Sequence, residues 1–200
     1  MKIPRVVVAV AIVVLSLAAP VLAFDPEQTF KKGAFVLSLE GGGGSQNNLE
    51  NHAVQTGLDL WWIQGRASLL PFGTTGKDGF LYGAFEFGLE PIYQRYTGPV
   101  SAYFAGLGLA ARYHFLSLGI FAPYIEVGAA AGGTDLRVIE IDSTFAFRLY
   151  GGVGASLFLT DNAALYGGYR MVHVSNGNTS RPNRGFETNT GVAGISFFFP

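Results

Sequence analysis

The residues best suited to chemistry sit near the end of the chain. His173 and Ser175 lie two positions apart at the close of one alternating run, and Glu187 stands at the start of the next. On a β-strand, residues i and i+2 point to the same side ~6.5–7 Å apart, so this spacing lets an imidazole reach a hydroxyl if the run is a strand. A serine hydroxyl is a weak nucleophile until a base takes its proton, and an imidazole base needs an acidic partner to fix its tautomer. Glu187 is the candidate for that partner. The same residues would also suit a polar strand end turning through Gly, Asn and Pro, and so short a motif decides little without the rest of the chain.

Residues 1–23 read as a secretory signal. Lys2 and Arg5 form a positive start, Val6 to Leu17 an apolar core, and Val21-Leu22-Ala23 a small-residue cleavage site, which places the mature domain at 24–200. That length suits one domain. The chain has no cysteine, which excludes disulfides and thiol chemistry, and its net charge of -1 gives no reason to expect nucleic acid. With 28 glycines, 17 phenylalanines and only 14% charged residues, it is unusually apolar for a soluble enzyme. An exported chain of this kind, with no second apolar stretch long enough for a spanning helix, points to a membrane β-barrel.

The elements that must carry the site follow from alternation. Gly33 to Gly41 places Phe35, Leu37 and Leu39 opposite Ser38 and Glu40; GGGGSQNN then reads as a turn, and Leu58, Leu60 and Trp62 as the apolar face of a second strand. The glycine run lacks the Lys-Ser/Thr ending and the helix of a phosphate loop. Six further runs begin near Phe80, Ser101, Phe121, Phe145, Ala163 and Glu187. Their apolar residues are odd-numbered from Phe85 onward, while Glu86, Glu90, Arg112, His114, Glu126, Arg148 and Arg170 are even. The expected fold is therefore all-β: an eight-stranded antiparallel transmembrane β-barrel, apolar outside and polar within.

Eight strands enclose a lumen only wide enough for side chains, so Glu86, Glu90 and Glu126 are expected to pair there with Arg112, Arg148 and Arg170. Such barrels start and end in the periplasm, which puts the loop from Asn176 to Phe186 outside. Parity then sends His173, Ser175 and Glu187 to the lipid-facing surface near the outer leaflet, where polar groups are costly and usually functional. His52 and His114 fall in other runs and read as loop and lumen histidines; no metal cluster is evident.

The segment HVSNGNTSRPNRGFE, from His173 to Glu187, resembles the signature of the lipid A 3-O-deacylase (PagL) family of outer-membrane barrels, also called acyloxyacyl hydrolases. The resemblance implies a bacterial outer-membrane carboxylic ester hydrolase acting on lipid A or lipopolysaccharide without a cofactor. It implies Ser175 as nucleophile, His173 as general base, Glu187 as orienting acid, Asn183 as an oxyanion-hole donor, and Asn176 as a loop-structuring or second polar contact. The family often has Gly where this chain has Asn178. Two other readings stand beside the esterase: a non-catalytic structural or adhesion barrel, which would not require the His, Ser and Glu spacing, and a lipid A acyltransferase, which would need a chain pocket in the lumen. Pairing of two copies as a homodimer stays open.

Overall fold

The computed structural model describes residues 24–50, 54–77 and 79–200; the signal segment 1–23 and His52 lie outside the described residues. A short helix, α1 (Pro26–Thr29), precedes the strands β1 (Ala34–Gln46), β2 (Asp59–Leu70), β3 (Thr74–Thr75), β4 (Gly83–Gly98), β5 (Ala102–Phe115), β6 (Phe121–Thr134), β7 (Phe145–Thr160), β8 (Ala163–Ser175) and β9 (Phe186–Phe199). Each long strand pairs antiparallel with its neighbours in sequence, and β9 returns to β1 while β2 pairs with both β1 and β4, so the eight long strands close into a barrel. The two-residue β3 only extends the edge of β4.

Alternation places the side chains as the period of two requires. Phe85, Phe87 and Leu89 on β4 are exposed, while the even-numbered Glu86, Glu90 and Gln94 of the same strand are buried. A belt of exposed apolar side chains, among them Leu39, Leu109, Ile125, Val127 and Val153, wraps the outside. A surface so continuously apolar is stable only against lipid.

Two expectations for β1 and β2 need correction. The glycines 41–44 do not turn the chain; they continue β1 and pair with both β2 and β9. Their purpose is close approach. A Cβ on Gly42 would stand 2.7 Å from the Trp62 ring and 2.1 Å from the Gly191 carbonyl, and one on Gly44 would stand 1.9 Å from the Asn189 carbonyl. Leu58, Leu60 and Trp62 also point inward, and the outward residues are Trp61 and Ile63. The parity holds, but the lumen near the site end is itself apolar, so hydrophobicity does not mark the outer face there.

The lumen is layered. At one end α1, capped by the Asp25 carboxylate on Glu27 N, sets Phe30 among Leu70, Phe158 and Phe198. At the other end Leu58, Leu60, Tyr96, Phe104, Ile141 and Phe186 close the barrel. Between these lids lies a charged waist centred on Arg170, whose Nη1 and Nη2 bind the Glu40 carboxylate at 2.6 and 2.9 Å and whose Nε binds Glu126 at 2.6 Å. The second Glu126 oxygen accepts from Arg112 at 2.9 Å and from Arg66 at 3.1 Å. Arg66 also donates to Glu90 at 2.5 Å, and Glu86 is held by Ser68 and His114.

The plug thus includes Glu40 and Arg66 beyond the residues expected from alternation. Arg148 departs the other way. Among the described residues it forms no ion pair, and its guanidinium lies 5.7 Å from the Trp62 ring and 5.3 Å from the Tyr150 ring. Aromatic faces attract a cation where no carboxylate is within reach.

Because three arginines share Glu126, removing that carboxylate strands buried positive charge, a loss of about 3–5 kcal/mol. Glu126→Leu is therefore expected to unfold at markedly lower urea in detergent, followed by tryptophan fluorescence. An unchanged midpoint would mean that the waist is solvated and carries no such pairing.

Candidate active site

β8 and β9 bring the site together by register. His173 stands directly across from Glu187 in the ladder, and Arg170 from Thr190 three steps further in. With Arg170 and Val174 directed into the lumen, His173 and Ser175 emerge on the outer face. His173 Nδ1 lies 2.7 Å from Glu187 Oε1. An ionised carboxylate only accepts, so Nδ1 carries the proton and the Nε2 lone pair is left for a base's work. Ser175 is half-buried on the same face, paired with Phe147 of β7, and among the described residues its hydroxyl makes no hydrogen bond. The structure thus joins His173 to Glu187 and places Ser175 beside them without a bond to the imidazole.

The loop after Ser175 is held by its own amides. Asn176 is fully buried; its Oδ1 accepts from Asn178 N, its Nδ2 donates to Ser180, and its carbonyl accepts from Thr179. Asn183 Oδ1 accepts from Asn176 N at 2.8 Å. A backbone N–H can be met only by the amide oxygen, so the Asn183 Nδ2 group is fixed on the opposite side. One of its hydrogens goes to Asn178 Oδ1 at 3.1 Å, and the other is uncommitted. Asn178 has φ 64, the left-handed conformation that Asn tolerates better than other side chains.

Several residues of this arrangement carry no signal in the sequence. The connection after β1 reaches across β9 to clamp the acid: Leu49 N donates to Glu187 Oε2 at 3.0 Å, and Asn48 Oδ1 accepts from Glu187 N at 3.2 Å. Gly185 lies against the imidazole, since a Cβ there would stand 2.9 Å from His173 Cε1 and 3.3 Å from Nε2. Its φ of 66 also favours glycine. Behind it sits Glu140, in the β6–β7 connection, whose carbonyl accepts from both Arg184 N and Gly185 N. The buried Glu140 carboxylate takes hydrogen bonds from Gln46 Nε2, Thr56 N and Thr56 Oγ1 at 2.9, 2.8 and 2.6 Å. Among the described residues no group of three His, Cys, Asp or Glu could hold a metal ion.

The family model for lipid A 3-O-deacylase, PagL, matches residues 53–196, a span that contains His173, Ser175, Asn176, Asn183 and Glu187. The chain belongs to the PagL family. Its barrel is similar to the crystal structure of the outer membrane enzyme PagL, with a TM-score of 0.61 and 14% identity over 78% of this chain and 97% of that one. It is also similar to Neisserial surface protein A, with a TM-score of 0.57 and 17% identity over 83% and 99% of the two chains. No curated protein sequence matches it. At these identities the solved structures establish the closed outer-membrane type of barrel, and the PagL family model carries the resemblance in sequence.

Glu140 offers a test of how the outer loops are held. Burial alone would raise its pKa, but the hydrogen bonds from Thr56 and Gln46 outweigh burial and hold the carboxyl below its usual value of 4.5. A carboxyl depressed in the folded state stabilises it above the unfolded pKa, and that contribution is lost as the pH falls through the lowered value. The protection factors of the Thr56 and Gly185 amides, their exchange rates corrected for the intrinsic pH dependence, are therefore expected to fall together on acidification below the usual carboxylate range, and to be low already at neutral pH in Glu140→Ala. Protection factors independent of pH in the native protein would show that Glu140 does not hold these loops.

Proposed function

We propose that this protein is an outer-membrane esterase that hydrolyses the 3-O-linked acyl chain of lipid A, with Ser175 as nucleophile, His173 as general base and Glu187 as the acid that orients it. The observation that carries the reading is the 2.7 Å His173 Nδ1 to Glu187 contact on the lipid-facing side of a barrel of the PagL family. A purely structural barrel has no use for a hydrogen-bonded His and Glu at a lipid boundary with a serine beside them, because polar groups there are tolerated mainly where they work. The charged waist fills the lumen centre, which speaks against an acyl chain stored inside.

In this reading the sugar headgroup of lipid A lies outside the outer leaflet and its acyl chains run down the apolar belt, so the ester bond comes level with Ser175. Rotation about Cα–Cβ brings Ser175 Oγ toward His173 Nε2, which takes the proton as Oγ attacks the acyl carbonyl. Glu187, anchored by Leu49 N, keeps the imidazole in the right tautomer and stabilises the imidazolium that forms. The tetrahedral oxyanion needs preorganised donors. The uncommitted Asn183 N–H is one. The backbone N–H of Gly177 is the natural second, because those of Asn178 and Thr179 are already given to Asn176. The imidazolium then protonates the departing sugar oxygen, and a water activated by His173 releases the acyl group from Ser175.

Ser175→Ala and His173→Ala are each expected to abolish fatty-acid release from lipid A in detergent micelles while the barrel keeps its heat-modifiable gel mobility. Glu187→Ala should leave a reduced but measurable rate, since the imidazole can still act unaided. Asn183→Ala should lower kcat about 100-fold with little change in KM, as for a donor engaged mainly in the transition state. Full activity in purified Ser175→Ala would remove Ser175 as the nucleophile.

A further inference from the structure

A recess of about 500 Å³ opens at the site end of the barrel, walled by Arg137, Asp142, Thr144 and Phe145 on one side and by Thr179 and Ser180 on the other. It adjoins the candidate nucleophile. Ser175 pairs with Phe147, and Phe147 packs edge to face on Phe145 with ring centres 5.1 Å apart. The recess is also preformed: Ser180 Oγ donates to the Asp142 carbonyl at 2.6 Å and accepts from Asn176 Nδ2 at 2.9 Å, which ties its two walls together one residue from Ser175.

An ester held at Ser175 has two halves that must part in opposite directions. On the barrel-centre side of Ser175 the outer face is apolar, with Leu149 and Met171 exposed, and suits the acyl chain. The alcohol half is then directed to the loops, where the recess is. Its lining says what kind of alcohol fits. Arg137 Nε meets Asp142 Oδ1 at 2.7 Å, and Nη1 donates to the carbonyls of Leu136 and Ser143. Among the described residues the Arg137 Nη2 group and the Thr144 hydroxyl have no hydrogen-bond partner. Because Asp142 offsets the charge of Arg137, the recess offers an isolated anion little net attraction. It does present donors, acceptors and one exposed aromatic ring within a small space. Sugar hydroxyls, which donate and accept at once above a face of C–H groups, are the complement of that set.

We propose that this recess binds the sugar ring that bears the scissile ester, and so selects a glycolipid over a simple ester. The proposal rests on the lipid A reading above. Its test compares kcat/KM for lipid A with that for 4-nitrophenyl decanoate, both in detergent micelles, using the full-length folded barrel. Arg137→Ala is expected to lower the ratio of the two values about 10-fold, the usual effect of losing a hydrogen bond to a charged group. Thr144→Val, which keeps the side-chain shape and removes one hydroxyl, should lower it in the same direction. A ratio unchanged in both variants, in an enzyme that cleaves lipid A, overturns the sugar subsite and leaves the lipid A reading standing. Equal losses on both substrates also overturn it, because Arg137 and Thr144 would then support Ser175 rather than the sugar. A wild-type protein that cleaves the nitrophenyl ester but not lipid A overturns the reading beneath the proposal.

Discussion

Arg170, held between Glu40 and Glu126 in the middle of the barrel, is the interaction on which the rest depends. A guanidinium there is tolerable only with both carboxylates in place, so side chains link β8 to β1 and β6, as the backbone ladder links it to β7 and β9. In a β-strand the inward choice at one residue settles the outward choice at its neighbours, and a slip of one residue would exchange the faces. By sending Arg170 in, the waist sends His173 and Ser175 out. The placement of the His173 and Glu187 pair on the outer face is thus tied to charge pairing inside.

The same parity fixes the partner. Glu187 lies opposite His173 because β9 is registered on β8 by the pairs that run from Ala163–Phe197 to Val174–Phe186. Of the pair, Glu187 is the more enclosed, with 17% of its side chain exposed against 39% for His173. A half-enclosed carboxylate needs more than one donor, and Leu49 N supplies the second. The strands therefore aim the groups, while loops from distant parts of the chain hold them: the β1–β2 connection on the acid, and Glu140 behind Gly185 on the imidazole. Such a division lets the loops vary without disturbing the register.

The fold was largely legible because alternation is a local property, and it failed where two apolar environments face each other. Leu58, Leu60 and Trp62 are as hydrophobic as any lipid-facing residue, yet they line the lumen, because the waist must be sealed from water at both ends. The glycine run of β1 looked like a turn because glycine favours turns, whereas here it makes room for Trp62 and the β9 backbone. Glu40 alternates with the apolar residues of β1, whereas Arg66 has no such mark, since one charge in an apolar strand carries no sign of its partner across the barrel. At the site, residue type and an i, i+2 spacing pointed to His173, Ser175 and Glu187. Asn48, Leu49 and Glu140 act through an amide side chain, a backbone N–H and a backbone carbonyl, and no spacing in the sequence connects them to the site.

The central claim is that an imidazole activates Ser175 at the lipid boundary. It is tested most directly by labelling the folded protein in detergent with a long-chain fluorophosphonate and locating the adduct by peptide mass spectrometry. The account predicts one adduct, on Ser175, that is lost in His173→Ala although Ser175 is still present. An adduct on another residue, or one on Ser175 that forms equally fast without His173, would contradict it.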